Sequence, residues 1–116
     1  MSRERAWLLD MLQAAQDIVE ISSGLTAEAF VQSKLHHHAI LRLLMVLGEA
    51  AKHVPAAVRD SHPEIPWRRI SGMRDVLIHG YFRVDLPLAW RIVSRDVPAL
   101  VEHLPPLIGP NPDSAS

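Results

Sequence analysis

Apolar positions recur along this chain with the period of a helix. Trp7, Leu8, Met11, Leu12, Ala15, Ile18 and Val19 fall at spacings of three and four, with Asp10, Gln13, Gln16, Asp17 and Glu20 on the opposite side. That pattern predicts an amphipathic helix from about Arg3 to Ile21. Ser22-Ser23-Gly24 should stop it, with Gly24 in the position where a positive φ is favoured. Thr26 is placed to cap a short second helix through Ala29 and Phe30. A third helix is predicted from Leu35 to His53. Its stripe of Ile40, Leu43, Leu44, Leu47, Ala50 and Ala51 is widened by Leu41, Met45 and Val46. A helix that apolar needs more than one partner, so it belongs at the centre of the fold or at a subunit interface.

Proline divides the second half. Pro55 should start a short helical turn through Val58, and Ser61-His62-Pro63 reads as a loop. Pro66 suits the first position of a fourth helix, which carries Trp67, Ile70, Met73, Val76, Leu77 and Ile78 and should end near His79-Gly80. Tyr81 to Val84 would connect it to a last helix capped by Asp85, with Pro87 in its first turn. Leu88, Ile92, Leu100 and Leu104 run along that helix. Pro98 should kink or split it, and Pro105-Pro106 should end it. No run alternates with period two between turn signals, so no strands are expected. The expected fold is all-α, an up-down bundle of four main helices plus short helical segments. It would occupy residues 1–108, with a disordered polar tail over 109–116.

Composition narrows the function. The 116 residues suit one domain, and a hydrophobic content of 48% is enough for a real core. The formal net charge of −1 excludes a uniformly basic nucleic-acid binder, so any such role needs a local patch. Without cysteines there are no disulfides or thiolate metal sites. The charged N-terminus and the polar interruptions after it argue against a signal peptide. The most apolar run, Ala39 to Ala51, contains Arg42 and Glu49 and is too short to span a bilayer. A cytoplasmic protein with no membrane association is expected.

The candidate chemistry gathers in residues 74–81, Arg-Asp-Val-Leu-Ile-His-Gly-Tyr. Arginine can hold a phosphate, histidine can move a proton near neutral pH, and tyrosine offers a hydroxyl. Arg74 and His79 lie five residues apart, about 140° around an ideal helix. They can converge if the helix ends near His79, or they can meet across a two-fold axis in a dimer. The structural alternative is a local ion pair for Arg74 and a helix-capping role for His79. From Pro66 to Arg83, Arg68, Arg69, Arg74 and Arg83 face Asp75 as the only acid, a local net charge of +3. Such a patch fits RNA phosphates, and Arg68, Arg69, Asp75 and Arg83 are its candidate contacts beside Arg74. His36-His37-His38 splay about 100° apart on a helix and cannot hold one ion together, so no metal site is expected. Glu49, among apolar residues, is expected in a structural ion pair.

The string Arg74-x4-His79-x-Tyr81 resembles the signature of HEPN-domain proteins of the HepT type. Ile65-Pro66-Trp67-Arg68 before it, Val84-Asp85-Leu86 after it, and Leu47-Gly48-Glu49-Ala50-Ala51-Lys52 upstream are similar to that family as well. The resemblance implies a homodimeric all-α bundle with the two motifs facing across a cleft. It implies the toxin of a toxin–antitoxin pair (type II or type VII-like), a metal-independent endoribonuclease needing no cofactor. Arg74 and His79 would be its catalytic residues. The implied partner is a minimal nucleotidyltransferase antitoxin, which neutralises the toxin by complex formation or by transferring AMP to Tyr81. The alternative is a HEPN-like module that binds nucleotide, RNA or a partner without cleaving anything.

Overall fold

The computed structural model describes residues 2–79 and 83–110, and of His79 the backbone alone. Helix α1 (Arg3–Ser22) begins where the Ser2 hydroxyl accepts the Arg5 amide at 3.1 Å. It ends as expected at Gly24, whose φ of 79° is left-handed. Thr26 caps α2 (Ala27–Gln32) by accepting the Ala29 amide at 3.0 Å. Ser33 then serves two helices. Its amide donates to the Ala29 carbonyl at 3.0 Å, and its hydroxyl accepts the His36 amide at 3.3 Å to start α3 (Lys34–Lys52). His37 is buried, and its Nδ1–H donates to the carbonyls of Phe30 and Val31, both at 3.2 Å. Those are carbonyls that the end of α2 would otherwise leave without partners.

The core follows the predicted stripes. Leu8, Met11, Ala15 and Ile18 of α1 are buried against Ile40, Leu44, Leu47, Ala50 and Ala51 of α3. Helix α3 is central: it contacts α1, α2 and two short helices that follow, α5 (Trp67–Ser71) and α6 (Met73–Leu77). Leu41, Leu43, Met45 and Val46 remain half-buried. Between α3 and α5, helix α4 (Ala56–Ser61) runs three residues past Val58 and absorbs Ser61, which had read as loop.

The predicted fourth helix is where the structure departs most from the pattern. It is two five-residue helices, α5 and α6, broken at Gly72. Helix α6 stops at Leu77, two residues before His79. Ile78–His79 (β1) and Arg83–Val84 (β2) form a small antiparallel ladder pairing Ile78 with Val84 and His79 with Arg83. Two-residue strands are too short to leave an alternating signature. The hairpin is closed at its base by the Asp85 amide donating to the Leu77 carbonyl at 2.8 Å. Gly80, Tyr81 and Phe82, and with them the expected modification site, lie outside the described residues, as do residues 111–116 of the expected tail.

Asp85 caps the last helix as predicted, its Oδ1 accepting the Leu88 amide at 3.0 Å. That helix runs as α7 (Leu86–Arg91), a wider π segment (Ile92–Asp96) and α8 (Val97–Ile108). The π segment ends two residues before Pro98, with the Val97 amide reaching back to the Ile92 carbonyl. The proline is thus accommodated by a bulge rather than a break. Pro105-Pro106 does not end the helix, which continues to Ile108. Each proline has a helix-compatible φ but loses its amide bond and crowds the preceding turn, and Leu104 packed in the core helps to hold the last turns in place. Helix α8 lies along α1 and closes the bundle. Among the described residues no helix is long and apolar enough to cross a membrane.

Candidate active site

Gly48 sets the position of the motif. A Cβ there would lie 2.8 Å from the Ile70 carbonyl oxygen and 3.1 Å from the Met73 Cβ. Only glycine lets α3 approach the α5–α6 junction this closely. Ile70, Met73 and Leu77 point inward from that junction and are fully buried. Arg74, next to Met73, is therefore turned outward and exposed. It lines a groove of about 480 Å³ bounded by α1, α3 and α6.

The groove walls mix charge with an aromatic surface. Arg42 and Lys52 of α3 join Arg74, while Asp10 of α1 and Glu49 of α3 supply carboxylates. Trp7 also lines it, its indole stacked on the His53 imidazole with centroids 4.2 Å apart and planes 14° from parallel. Glu49 is exposed, 3.6 Å from Lys52 Nζ and 3.7 Å from His53 Nε2. Its expected ion pair thus exists, with a lysine and a histidine at the surface rather than in the core. Arg42, Arg74 and Asp10 have no hydrogen bond or ion pair with any described residue. Of these groove residues the sequence motif pointed only to Arg74. The signal for the α3 pair was present, because Arg42 and Glu49 interrupt the apolar run seven residues apart, two turns along one face. Trp7 read as core and Asp10 as solvated surface.

His79 continues from α6 in extended backbone, so the 140° helical phase does not govern where it stands relative to Arg74. The other candidates separate. Arg83 is exposed on β2, opposite His79 in the ladder. Asp75 is exposed on α6. Arg68 is exposed on α5, beside a depression formed with Ile65, Pro66, Trp67 and Val76. Arg69 is already engaged: its Nε and an Nη donate to the two Asp96 oxygens, both at 2.8 Å. The hydrogen-bonded Asp96 carboxylate raises the Arg69 pKa above its ordinary value, against the opposing effect of burial. This fork joins α5 to the π segment, in a depression that shares no residue with the Arg74 groove. Near the triple histidine, His36 Nδ1 lies 2.6 Å from the Ser33 hydroxyl and His37 faces the α2 carbonyls. Among the described residues no three acids or histidines are grouped to hold a metal.

Comparison with known proteins agrees with the motif. A "probable ribonuclease HepT" of Thermococcus cleftensis is 40% identical over 94 residues, covering 81% of this chain and 86% of that protein. A "Putative RNase" of Methanocaldococcus jannaschii is 35% identical over 100 residues, covering 86% of this chain and 92% of its own. A "Putative RNase" of Caldanaerobacter subterraneus subsp. tengcongensis is 35% identical over 104 residues, covering 90% and 93%. No solved structure matches. The model of the family described as "Ribonuclease HepT-like" matches residues 11–107, so the chain belongs to the HepT-like ribonuclease family.

Proposed function

We propose that this protein is a metal-independent endoribonuclease acting as a homodimer, with Arg74 and His79 of both copies around one RNA phosphate. The observation that carries the reading is Arg74. It is exposed in a groove, free of acidic partners among the described residues, on the segment that bears the complete Arg-x4-His-x-Tyr string. The chemistry needs only the groups the chain supplies. One His79 takes the proton from an RNA 2′-OH, whose oxygen attacks the adjacent phosphorus. The bond from phosphorus to the 5′-oxygen breaks, leaving a 2′,3′-cyclic phosphate. The other His79, in its protonated form, gives its proton to the departing 5′-oxygen. Arg74 balances the charge that builds on the phosphoryl oxygens. A single His79 cannot begin as both base and acid, which is why two copies are required. Arg68 and Arg83 would extend the phosphate track, with Asp75 beside it.

The same reading makes the protein the toxin of a toxin–antitoxin pair, held in check by a nucleotidyltransferase that binds it or transfers AMP to the Tyr81 hydroxyl. Single-turnover cleavage of RNA by Arg74→Ala and His79→Ala proteins tests the catalytic assignment, with losses of about 10²–10⁴-fold expected. Undiminished cleavage by both would sink it. Tight RNA binding without any cleavage by the unaltered protein would favour a binding module instead. Intact mass after incubation with the nucleotidyltransferase and ATP should show an AMP adduct that Tyr81→Phe abolishes.

A further inference from the structure

A groove that only holds phosphate has no use for carboxylates, because they repel a polyanion. This one has two. Glu49 is accounted for by Lys52 and His53, at 3.6 and 3.7 Å. Asp10 is not: it is exposed at the groove wall with no partner among the described residues. One turn earlier on the same face of α1 stands Trp7, half-buried and braced by the His53 stack. Arg42 faces the groove from α3, likewise without a described partner. Aromatic platform, unpaired acceptor and free guanidinium are the three groups that recognise one unstacked nucleotide: stacking for the base, hydrogen bonds to its edge, charge for its phosphate. The volume of about 480 Å³ is ample for a single nucleotide.

The carboxylate narrows the base. Two oxygens side by side accept best from two adjacent donors. Among the four RNA bases only guanine presents such a pair, N1–H and N2–H, on its Watson–Crick edge. Uracil offers one N–H flanked by carbonyls, while adenine and cytosine each offer a single amino group beside an acceptor nitrogen. We propose that Trp7, Asp10 and Arg42 form a guanine-selective subsite beside Arg74. Trp7 stacks on the base, Asp10 reads its edge, and Arg42 holds its phosphate. The proposal rests on the ribonuclease reading for its substrate class.

The test uses the full chain and fluorescein-labelled 2′-O-methyl heptanucleotides, which cannot be cleaved through the 2′-oxygen. Each is a run of uridines with one central guanosine or adenosine. Anisotropy should give a preference of about fivefold or more for guanosine, the value of one good bidentate contact. Asp10→Asn should erase the preference and leave adenosine binding intact. Trp7→Ala should weaken both oligonucleotides about fivefold or more through lost stacking, and Trp7→Phe should restore most of it. No preference in the unaltered protein, or a preference that survives Asp10→Asn, overturns the subsite. Cleavage of ordinary RNA, measured in parallel, separates the two readings. Cleavage without guanine preference leaves the ribonuclease standing and removes the subsite. Guanine-selective binding without cleavage does the reverse.

Discussion

The frame and the motif segment of this protein are built on opposite plans. Helices α1 and α3 are 20 and 19 residues long, with hydroxyl caps at their starts and unbroken apolar stripes. Among the described residues, the motif segment consists of two five-residue helices and two two-residue strands. A helix of five residues has almost no stability of its own, since nucleation costs more than one turn returns. The segment is held instead by a few anchors. Ile70, Met73 and Leu77 are buried, Trp67 Nε1 donates to the His62 carbonyl at 2.9 Å, and Gly48 lets the whole junction seat against α3. Long regular elements therefore store the stability. Short irregular ones alternate buried anchors with exposed polar groups such as Arg74, which is what a site requires.

The sharpest way to break the comparison is to damage each region in its own currency. Leu44 is fully buried where α3 meets the core. Leu44→Ala should cost about 2–5 kcal/mol, as for other fully buried leucines. Urea unfolding would read this as a lower midpoint. The folded fraction should still cleave RNA at the normal rate. Arg74→Ala should do the converse, with cleavage lost and the urea midpoint unmoved, because the side chain is exposed and touches no described partner. A large midpoint shift in Arg74→Ala would mean that the motif segment carries fold stability after all.

The same contrast explains what the sequence could say. Period-3.6 stripes announced α1 and α3 to within a residue or two, because each averages its signal over five turns. Thr26, Asp85 and Gly24 were legible as caps and stop because their roles depend on local backbone geometry alone. The break at Gly72 and the ladder of 78–79 with 83–84 were not legible. A glycine inside a helical pattern is compatible with continuation, and two-residue strands have no period. Arg74 was readable from a motif, but its groove was not, since Trp7, Asp10 and Arg42 come from helices far away in sequence. Arg69 read as a free cation because nothing local announces Asp96, 27 residues on.

Gly48→Ala probes the joint between the two regions. In an exposed helix the change would help by about 1 kcal/mol through propensity. Here the new methyl meets the Ile70 backbone carbonyl at 2.8 Å, and backbone cannot swing aside as a side chain can. Overpacking of this kind costs about 1–3 kcal/mol, so the expected net effect is a loss of stability. Cleavage should also fall in the folded protein, because relieving the contact moves the junction that carries Arg74. A stabilised Gly48→Ala protein would show that the close approach is not limiting.

The smallest expected effect compares two caps with the same hydrogen-bond pattern, one from a hydroxyl and one from a carboxylate. Thr26→Ala and Asp85→Ala each remove one side-chain acceptor from a helix N-terminus, Ala29 and Leu88 losing bonds of 3.0 Å. Each should cost roughly 1 kcal/mol. Their consequences for activity should differ. Thr26 starts α2, which belongs to the frame and contacts α3 and α7. Asp85 caps α7 while its amide closes the hairpin on the Leu77 carbonyl at 2.8 Å. Freeing its side chain loosens β2, which ends just before Asp85, and, through the ladder, the backbone of His79. Cleavage should therefore drop several-fold in Asp85→Ala and stay unchanged in Thr26→Ala, at matched losses in the urea midpoint. Equal activities would mean that the hairpin is fixed by its own ladder, and that the motif segment needs less from its surroundings than its short elements suggest.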